Sequence, residues 1–350
     1  MSNKKWCLLL LGLMVVTMLA VSAVVAFVDP YFHYHGPQSF LQYPLNNQRY
    51  QNDGISRNFD YDAIITGTSM TENFLASQCD ALFGVQSIKV PFSGGSFKEI
   101  DSNLRRALEA NPDTVLVIRG LDSDMLVRDK DYLEYSSYPE YLTDDVLLND
   151  VEYTLNKHVL FEDVAAVVKN TLLGIPGTTF DEYSNWMDDQ SFGKETILAL
   201  YQRPEKAAET TQLTQKQITY VTENVTQNVL ALAREYPDTQ FYCFFPPCSI
   251  YYWDTQNQKG TLEMQVQAHR LATELMLEQE NLHLYSFYDQ FQITTNPDLY
   301  MDYCHYNQNV SDQIMAWLKE GKGLLTEENY EAHWQEVYDY YASFDYETLF

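Results

Sequence analysis

The stretch Tyr61-Asp62-Ala63-Ile64-Ile65-Thr66-Gly67-Thr68-Ser69-Met70-Thr71-Glu72-Asn73 decides how the chain is read. Ala63, Ile64 and Ile65 form a short apolar run of the length and type expected of a buried strand. The run stops at Gly67, and Thr68, Ser69 and Met70 lead into a predicted helix over 73–83. A serine at the carboxyl end of a parallel strand stands where open α/β sheets place their ligands. The helix start behind it offers unpaired backbone N–H groups to a developing negative charge. Ser69 is therefore a candidate nucleophile, against the plainer alternative of a helix N-cap.

Downstream, the rhythm of strand and helix repeats. A short strand over 87–90 is closed by Pro91-Phe92-Ser93-Gly94-Gly95, and a helix over 98–110 places Ile100, Leu104 and Leu108 on one face. A β-branched strand over 114–118 follows, and Arg119-Gly120-Leu121-Asp122 leaves it. This β-α-β-α-β pattern implies parallel strands joined by right-handed crossovers. Residues 123–216 break the rhythm with Tyr- and Asp-rich loops and helical pieces (159–173), and read as an insertion capping the strand ends. The alternation then resumes with a helix over 218–235, a strand over 240–245, a helix over 262–280, a strand over 282–287 and a closing helix over 309–319. Five parallel strands with these helices predict a three-layer α/β/α domain over 59–350, interrupted by that insertion. Tyr330, Trp334, Val337, Tyr340 and Tyr341 form a helically spaced stripe that reads as core cover.

The amino terminus is of another kind. Trp6 to Val28 holds no charged residue over 23 positions, roughly 34 Å of helix against a hydrocarbon layer of about 30 Å. Lys4 and Lys5 precede it and Asp29 follows, so the positive-inside rule assigns residues 1–5 to the cytoplasm and the rest to the outside. Ala20-Val21-Ser22-Ala23 fits a signal-peptide cleavage site, but cleavage would leave Val24-Val25-Ala26-Phe27-Val28 as a greasy new terminus. An uncleaved anchor over 6–28 is the favoured reading. Residues 29–58, with Pro30, Pro37 and Pro44, read as an irregular stalk whose Tyr31, Phe32 and Tyr34 suit the membrane interface.

The net charge of −27 argues against nucleic acid as a partner. Five scattered cysteines lack paired zinc spacing; Cys243 and Cys248 could bridge. His33 and His35 have no third ligand nearby, so neither metal nor cofactor is expected. Asn224-Val225-Thr226 fits a glycosylation triplet, although on a predicted helix.

After the last strand come Asp302-Tyr303-Cys304-His305. An aspartate three residues before a histidine can hold one ring nitrogen and leave the other to take a proton from a hydroxyl. This loop and the Ser69 turn belong to the same rim of the sheet. Cys304 is a rival nucleophile on the wrong side of its neighbour, and Cys248 reads as a packing residue.

With these blocks in order, the chain resembles the SGNH (GDSL-like) hydrolase superfamily, whose sheet is flavodoxin-like. Its first block corresponds to Gly67-Thr68-Ser69, its second to the glycine turn Ser93-Gly94-Gly95-Ser96, and its last to Asp302-Tyr303-Cys304-His305. Its third block falls on Gly120-Leu121-Asp122-Ser123, where the family's asparagine is absent. The resemblance covers residues 60–122 and 218–320 and omits the insertion.

It implies Ser69 as nucleophile, His305 as general base and acid, and Asp302 as its orienting carboxylate. Ser69 and Gly94 would supply backbone arms of an oxyanion hole, with Asp122 at the third position and Arg119 and Gly95 available to bind substrate. An anchored, exported domain of this type resembles bacterial envelope esterases and O-acyltransferases working through an acyl-serine on surface glycans, some fed by a multi-pass acyl-delivering membrane protein. The alternative is a degenerate SGNH scaffold that binds glycan or a membrane partner without turnover.

Overall fold

The computed structural model describes residues 2–135, 138–144 and 146–350, the Asp189 side chain excepted. The chain forms two compact units: Met1–Asp60 with Ser137–Thr179, and Tyr61–Ser136 with Phe180–Phe350.

The larger unit is α/β, built on five strands: β1 (Ala63–Thr66), β2 (Ser87–Lys89), β3 (Leu116–Gly120), β4 (Gln240–Phe245) and β5 (Leu282–Ser286). All pairings are parallel, in the order β2-β1-β3-β4-β5. From β1 the chain steps outward to β2, then back across β1 to β3 and onward. Right-handed crossovers therefore send the helix Ala76–Phe83 to one face and the helices after β2, β3 and β4 to the other. Ala76–Phe83 accordingly packs with Gln308–Glu320, and Gln215–Val225 with Leu262–Leu277. Ile64, Ile65, Val117, Ile118, Phe244 and Leu284 form the fully buried centre of the sheet.

Two elements differ from the sequence pattern for identifiable reasons. β3 begins two residues later than its β-branched run and extends through Arg119 and Gly120. Val115 and Leu116 both donate their N–H groups to the Asp62 carbonyl (2.8 and 3.4 Å), so the run is partly spent entering the sheet. Arg119 continues the strand because its guanidinium has a built receptor. It donates to the carbonyls of Asn228 (2.6 Å) and Phe97 (3.3 Å) and lies over the Phe97 ring. Asn228 belongs to a π-helical turn, Thr226–Leu230, inside what the sequence pattern reads as one helix over 218–235.

The tail stripe forms the helix Tyr330–Ser343, which buries Trp334, Val337 and Tyr341. All five cysteines are free thiols, so Cys243 and Cys248 do not bridge. Asn224 is buried and donates to the Met125 carbonyl (2.8 Å), which removes it as a glycosylation acceptor.

The smaller unit starts with the helix Asn3–Val28, long and apolar enough to cross a membrane. The segment after it is folded, contrary to the irregular stalk expected. Asp29 turns the chain at φ 48° and is fully buried. Its carboxylate accepts from the N–H groups of His33, Tyr34 and His35 and from the Tyr153 hydroxyl, at 2.7 to 3.0 Å. Side chains also close the helix end: Gln38, Tyr43 and one ring nitrogen of His35 meet the carbonyls of Phe27, Val28 and Ala26.

A helix over Gln48–Asn58 then buries Gln51, Asn52 and Ile55. Residues 137–179 add Val151–Thr154, a π-helical Val159–Val164 and Ala165–Leu173. The insertion is therefore shared between the units. Residues 180–216 belong to the sheet-bearing one, and the insertion is not a single cap.

Candidate active site

Gly67 ends β1 at φ +148°. A Cβ there would come within 2.8 Å of the Thr71 side chain, and one on Gly120 within 2.9 Å of it. The two glycines thus make room for Thr71, whose hydroxyl donates to the Thr68 carbonyl (2.9 Å) and closes the turn. The N-cap of the short 3-10 turn Ser69–Thr71 is Thr68, not Ser69, and Thr68 Oγ1 accepts from Met70 N–H. That leaves the Ser69 hydroxyl available to bond across the site.

The Ser69 hydroxyl meets His305 Nε2 at 2.7 Å, and the opposite ring nitrogen, Nδ1, meets Asp302 Oδ2 at 2.7 Å. The loop carrying the pair is pinned at both ends. Tyr300 and Tyr306 form an antiparallel bridge, and Met301 N–H donates to the His305 carbonyl (3.0 Å). Asp302 Oδ1 accepts from the N–H groups of Cys304 (2.8 Å) and His305 (2.7 Å), which leaves Oδ2 for the ring. The buried Tyr306 hydroxyl donates to the Met70 carbonyl (2.7 Å), tying this loop directly to the serine turn. Trp186, from the inserted segment, stands edge-on to the His305 ring at 5.6 Å.

The electrostatics follow from these contacts. Burial opposes charge on both partners, but the His305 ring and two N–H bonds outweigh it at Asp302 and hold its carboxyl below the usual range. Burial likewise disfavours a charged His305, yet the Asp302 bond and charge, aided by Asp122 and Glu72, raise its pKa. An imidazole so placed takes a proton readily through Nε2 while Asp302 fixes Nδ1 as the protonated nitrogen.

Asp122 follows β3 and accepts the Thr68 hydroxyl at Oδ2 (2.6 Å). Its Oδ1 is shielded from solvent and has no hydrogen-bond partner among the described residues. Burial pushes this carboxyl up to about 6, against the opposing pull of Thr68 and His305. Gly94 adopts φ +61° in the turn after β2, and that turn is held to the serine turn by Phe92 N–H donating to the Gly67 carbonyl (2.8 Å).

Two other candidates fall away from the chemistry. The Arg119 guanidinium lies under the helix Phe97–Ala110, spent on two carbonyls, and reaches no part of this site. Gly95 gives its N–H to the Phe92 carbonyl (2.7 Å) and is hemmed in by Phe92 and Glu99.

Ser69, Met70, Asp122, Met125, Cys248 and His305 line a cavity of about 170 Å³. Asp124, Tyr252 and Tyr303 are shared with an adjoining cavity of about 570 Å³, walled also by Leu200, Tyr201 and Lys259. Cys304 Sγ faces His305 Nδ1 at 3.5 Å, the nitrogen already committed to Asp302, and burial together with the Asp302 charge keeps its thiol protonated. Asp302, Cys304 and His305 each bring a donor atom close enough together for a metal ion, but Asp302 and His305 are already hydrogen-bonded to each other. His33 and His35 are engaged in the smaller unit with Asp150 and with backbone carbonyls.

The sequence pattern did not single out Thr68, Tyr306 or Trp186 for this site. Tyr306 could have been suspected from its place beside His305; Trp186 lies in an unpatterned segment with no such signal. No family model matches the chain, and neither the curated proteins nor the solved structures contain a match to it.

Proposed function

We propose that the larger unit is a serine esterase or O-acyltransferase of the SGNH type, acting outside the cytoplasm on acylated envelope glycans. The observation that carries this reading is the continuous relay Ser69–His305–Asp302, with both links at 2.7 Å. The strand order also fits, since 2-1-3-4-5 is the order of flavodoxin-like sheets, which bind ligands at the carboxyl ends of their strands.

In the reaction, Ser69 Oγ attacks an ester carbonyl while its proton passes to His305 Nε2. The tetrahedral oxyanion receives the backbone N–H groups of Ser69 and Gly94, neither of which has a partner among the described residues. Collapse breaks the bond to the leaving alkoxide, which takes the proton back from His305, and an acyl-Ser69 remains. Water or a sugar hydroxyl then attacks the acyl carbon, giving its proton to His305; the bond from that carbon to Ser69 Oγ breaks, Oγ takes the proton from His305, and the free acid or the new ester leaves. A cavity of about 170 Å³ beside the serine suits a short acyl chain, and the adjoining cavity of about 570 Å³ suits the larger alcohol part.

The third oxyanion donor is the point on which a second reading turns. An ionised Asp122 would repel the oxyanion, which favours a scaffold that binds glycan or a membrane partner without turnover. A protonated Asp122 reverses that objection. With Oδ2 held by Thr68, Oδ1–H becomes a donor of the kind that carboxylic acids supply when an apolar site keeps them neutral.

The N-terminal helix would serve as an uncleaved anchor with Lys4 and Lys5 on the cytoplasmic side. A multi-pass membrane protein would be the natural source of activated acyl groups. The strong negative charge suits a neutral glycan acceptor better than a phosphate-rich polymer.

The test is labelling of the full-length protein with a serine-directed phosphonate, alongside hydrolysis of short-chain esters. Wild type should form an adduct on Ser69 and turn over ester, and Ser69→Ala should do neither. If wild type stays inert in both assays, the non-catalytic scaffold becomes the better account.

A further inference from the structure

We propose that part of the inserted segment, residues 146–175, is a second membrane-contacting element that lies in the lipid beside the N-terminal helix. The inference rests on that helix being a membrane anchor. It concerns the smaller unit alone.

The sequence is unusual for this acidic chain. Val146, Leu147, Leu148, Val151, Phe161, Val168, Leu172, Leu173 and Ile175 are all exposed, with Leu148 at 87%, Leu172 at 80% and Phe161 at 74%. Over the helical stretch, Phe161, Ala165, Val168 and Leu172 are all exposed, the last three at the three- and four-residue spacing of one α-helix face. The other side, Val159 and Val167 with Val164 at its edge, is buried in the unit. The helix thus has two apolar faces and only one of them is covered by protein. A soluble helix of this kind would present polar residues outward. Its exposed charges, Glu162 and Lys169, lie beside the outward stripe rather than on it.

What covers the outward face follows from where the segment sits on the span. Val151–Thr154 and Val159–Val164 both pack against the N-terminal helix. The Ser22 hydroxyl donates to Thr154 Oγ1 at 3.3 Å. Ser22 lies six residues before the end of the helix at Val28, about 9 Å along its axis at ~1.5 Å per residue. Contact with the inserted segment therefore begins about 9 Å inside the apolar run, matching the ~5–10 Å immersion of helices that lie in the membrane interface. Upstream of Val21 the span itself is exposed to its surroundings along its whole length. The outward stripe continues that lipid-facing surface. The occupant is lipid hydrocarbon, held by apolar contact, because the chain's acidity gives no attraction to anionic headgroups.

The experiment uses the full chain in phosphatidylcholine nanodiscs, with Cys7 and Cys304 replaced by serine and one nitroxide label at a time. Labels go at Phe161→Cys and Leu172→Cys, with Val16→Cys in the anchor and Lys319→Cys on the sheet-bearing unit as references. Collision rates with oxygen, which concentrates in lipid, are compared with those of a water-soluble nickel chelate. The expected result is that labels at 161 and 172 favour oxygen several-fold, like the label at 16 and unlike that at 319.

Nickel-accessible labels at 161 and 172 with an oxygen-favouring label at 16 overturn the inference and leave the anchor intact. Labels at 161 and 172 shielded from both reagents also overturn it, in favour of a protein contact over this face. A nickel-accessible label at 16 overturns the anchor and this inference together.

Discussion

Replacing Asp122 with asparagine tests whether this carboxyl acts as a neutral donor. Catalysis needs His305 without its extra proton and, on the proposed scheme, Asp122 with one. Burial raises Asp122 to about 6, so at about pH 8 only about one molecule in a hundred would carry that proton. One oxyanion donor is worth roughly 10²–10³ in kcat. Asp122→Asn presents a permanent amide donor and should raise kcat at about pH 8 by ~10–100-fold, with a much smaller change near pH 5.5.

The shape of the profile should change too. Wild type should show a bell whose two apparent pKa values belong to the coupled His305 and Asp122 pair. The variant should lose the alkaline limb and keep a single acid limb, that of His305 alone. His305, Asp124, Cys248, Cys304, Tyr288 and Tyr306 are the other titratable groups coupled to this carboxyl. Of these, His305 is the one whose ordinary value already lies between about pH 5 and 8.

Stability gives an independent readout. A carboxyl raised on folding contributes stability below its unfolded value and loses it as pH rises through the folded one. From 3.8 to about 6, at ~1.4 kcal/mol per pH unit, the penalty at about pH 8 approaches ~3 kcal/mol. Asp122→Asn should therefore be more stable than wild type in urea at about pH 8 by up to ~3 kcal/mol, and the gain should vanish below about pH 4. The activity change is followed with a short-chain ester at a wavelength insensitive to pH. A tenfold loss of kcat in the variant at about pH 8, or no stability gain there, refutes the neutral-donor reasoning.

Asp302→Asn should keep the fold but lose the partner that holds Nδ1 protonated, lowering kcat by about 10³–10⁴-fold with a much smaller effect on KM in steady-state assays. Its acid stability should change as well. A depressed carboxyl stabilises above its unfolded value, so wild type should lose stability as pH falls from ~4 through the lower folded value, and the variant should lose less in acid urea titrations. Gly67→Ala sets a Cβ against Thr71 at a φ that disfavours any side chain, and should cost roughly 2–3 kcal/mol in chemical unfolding. Ala at Gly84, where a Cβ would meet nothing within 4 Å but φ is +72°, should cost less, about 1 kcal/mol.

The sheet could be read from the chain because its strands are nearly uninterrupted apolar runs and its crossover helices carry regular stripes. Two loops at the same rim then brought Ser69 and His305 within reach of each other. What escaped reading was polar and buried. The helix Gln48–Asn58 hides Gln51, Asn52 and Ser56 where a pattern search expects aliphatic residues. Its Gly54 is needed because a Cβ would come within 2.1 Å of the Tyr31 carbonyl. Arg119 looked like a free cation beside the candidate site, because a charged residue after an apolar run suggests a strand end. Its carbonyl receptors come from residues 97 and 228, distant in sequence and one of them in a π-helical turn, which no local pattern announces. Trp186 was invisible for a similar reason, since its segment has neither stripe nor alternation.

The division of the chain bears on how firmly a membrane-spanning N-terminal helix would tether the larger unit. The backbone passes between the two units near residues 60, 136 and 179, so they share three covalent connections. A protease that cut one of these would release nothing. After scission near residue 60, the segment 137–179 would still be spliced at both ends into the sheet-bearing unit while packed against the N-terminal helix. If the N-terminal helix is an anchor, shedding would need every crossing severed or the smaller unit unfolded, so a single nick would not solubilise the larger unit.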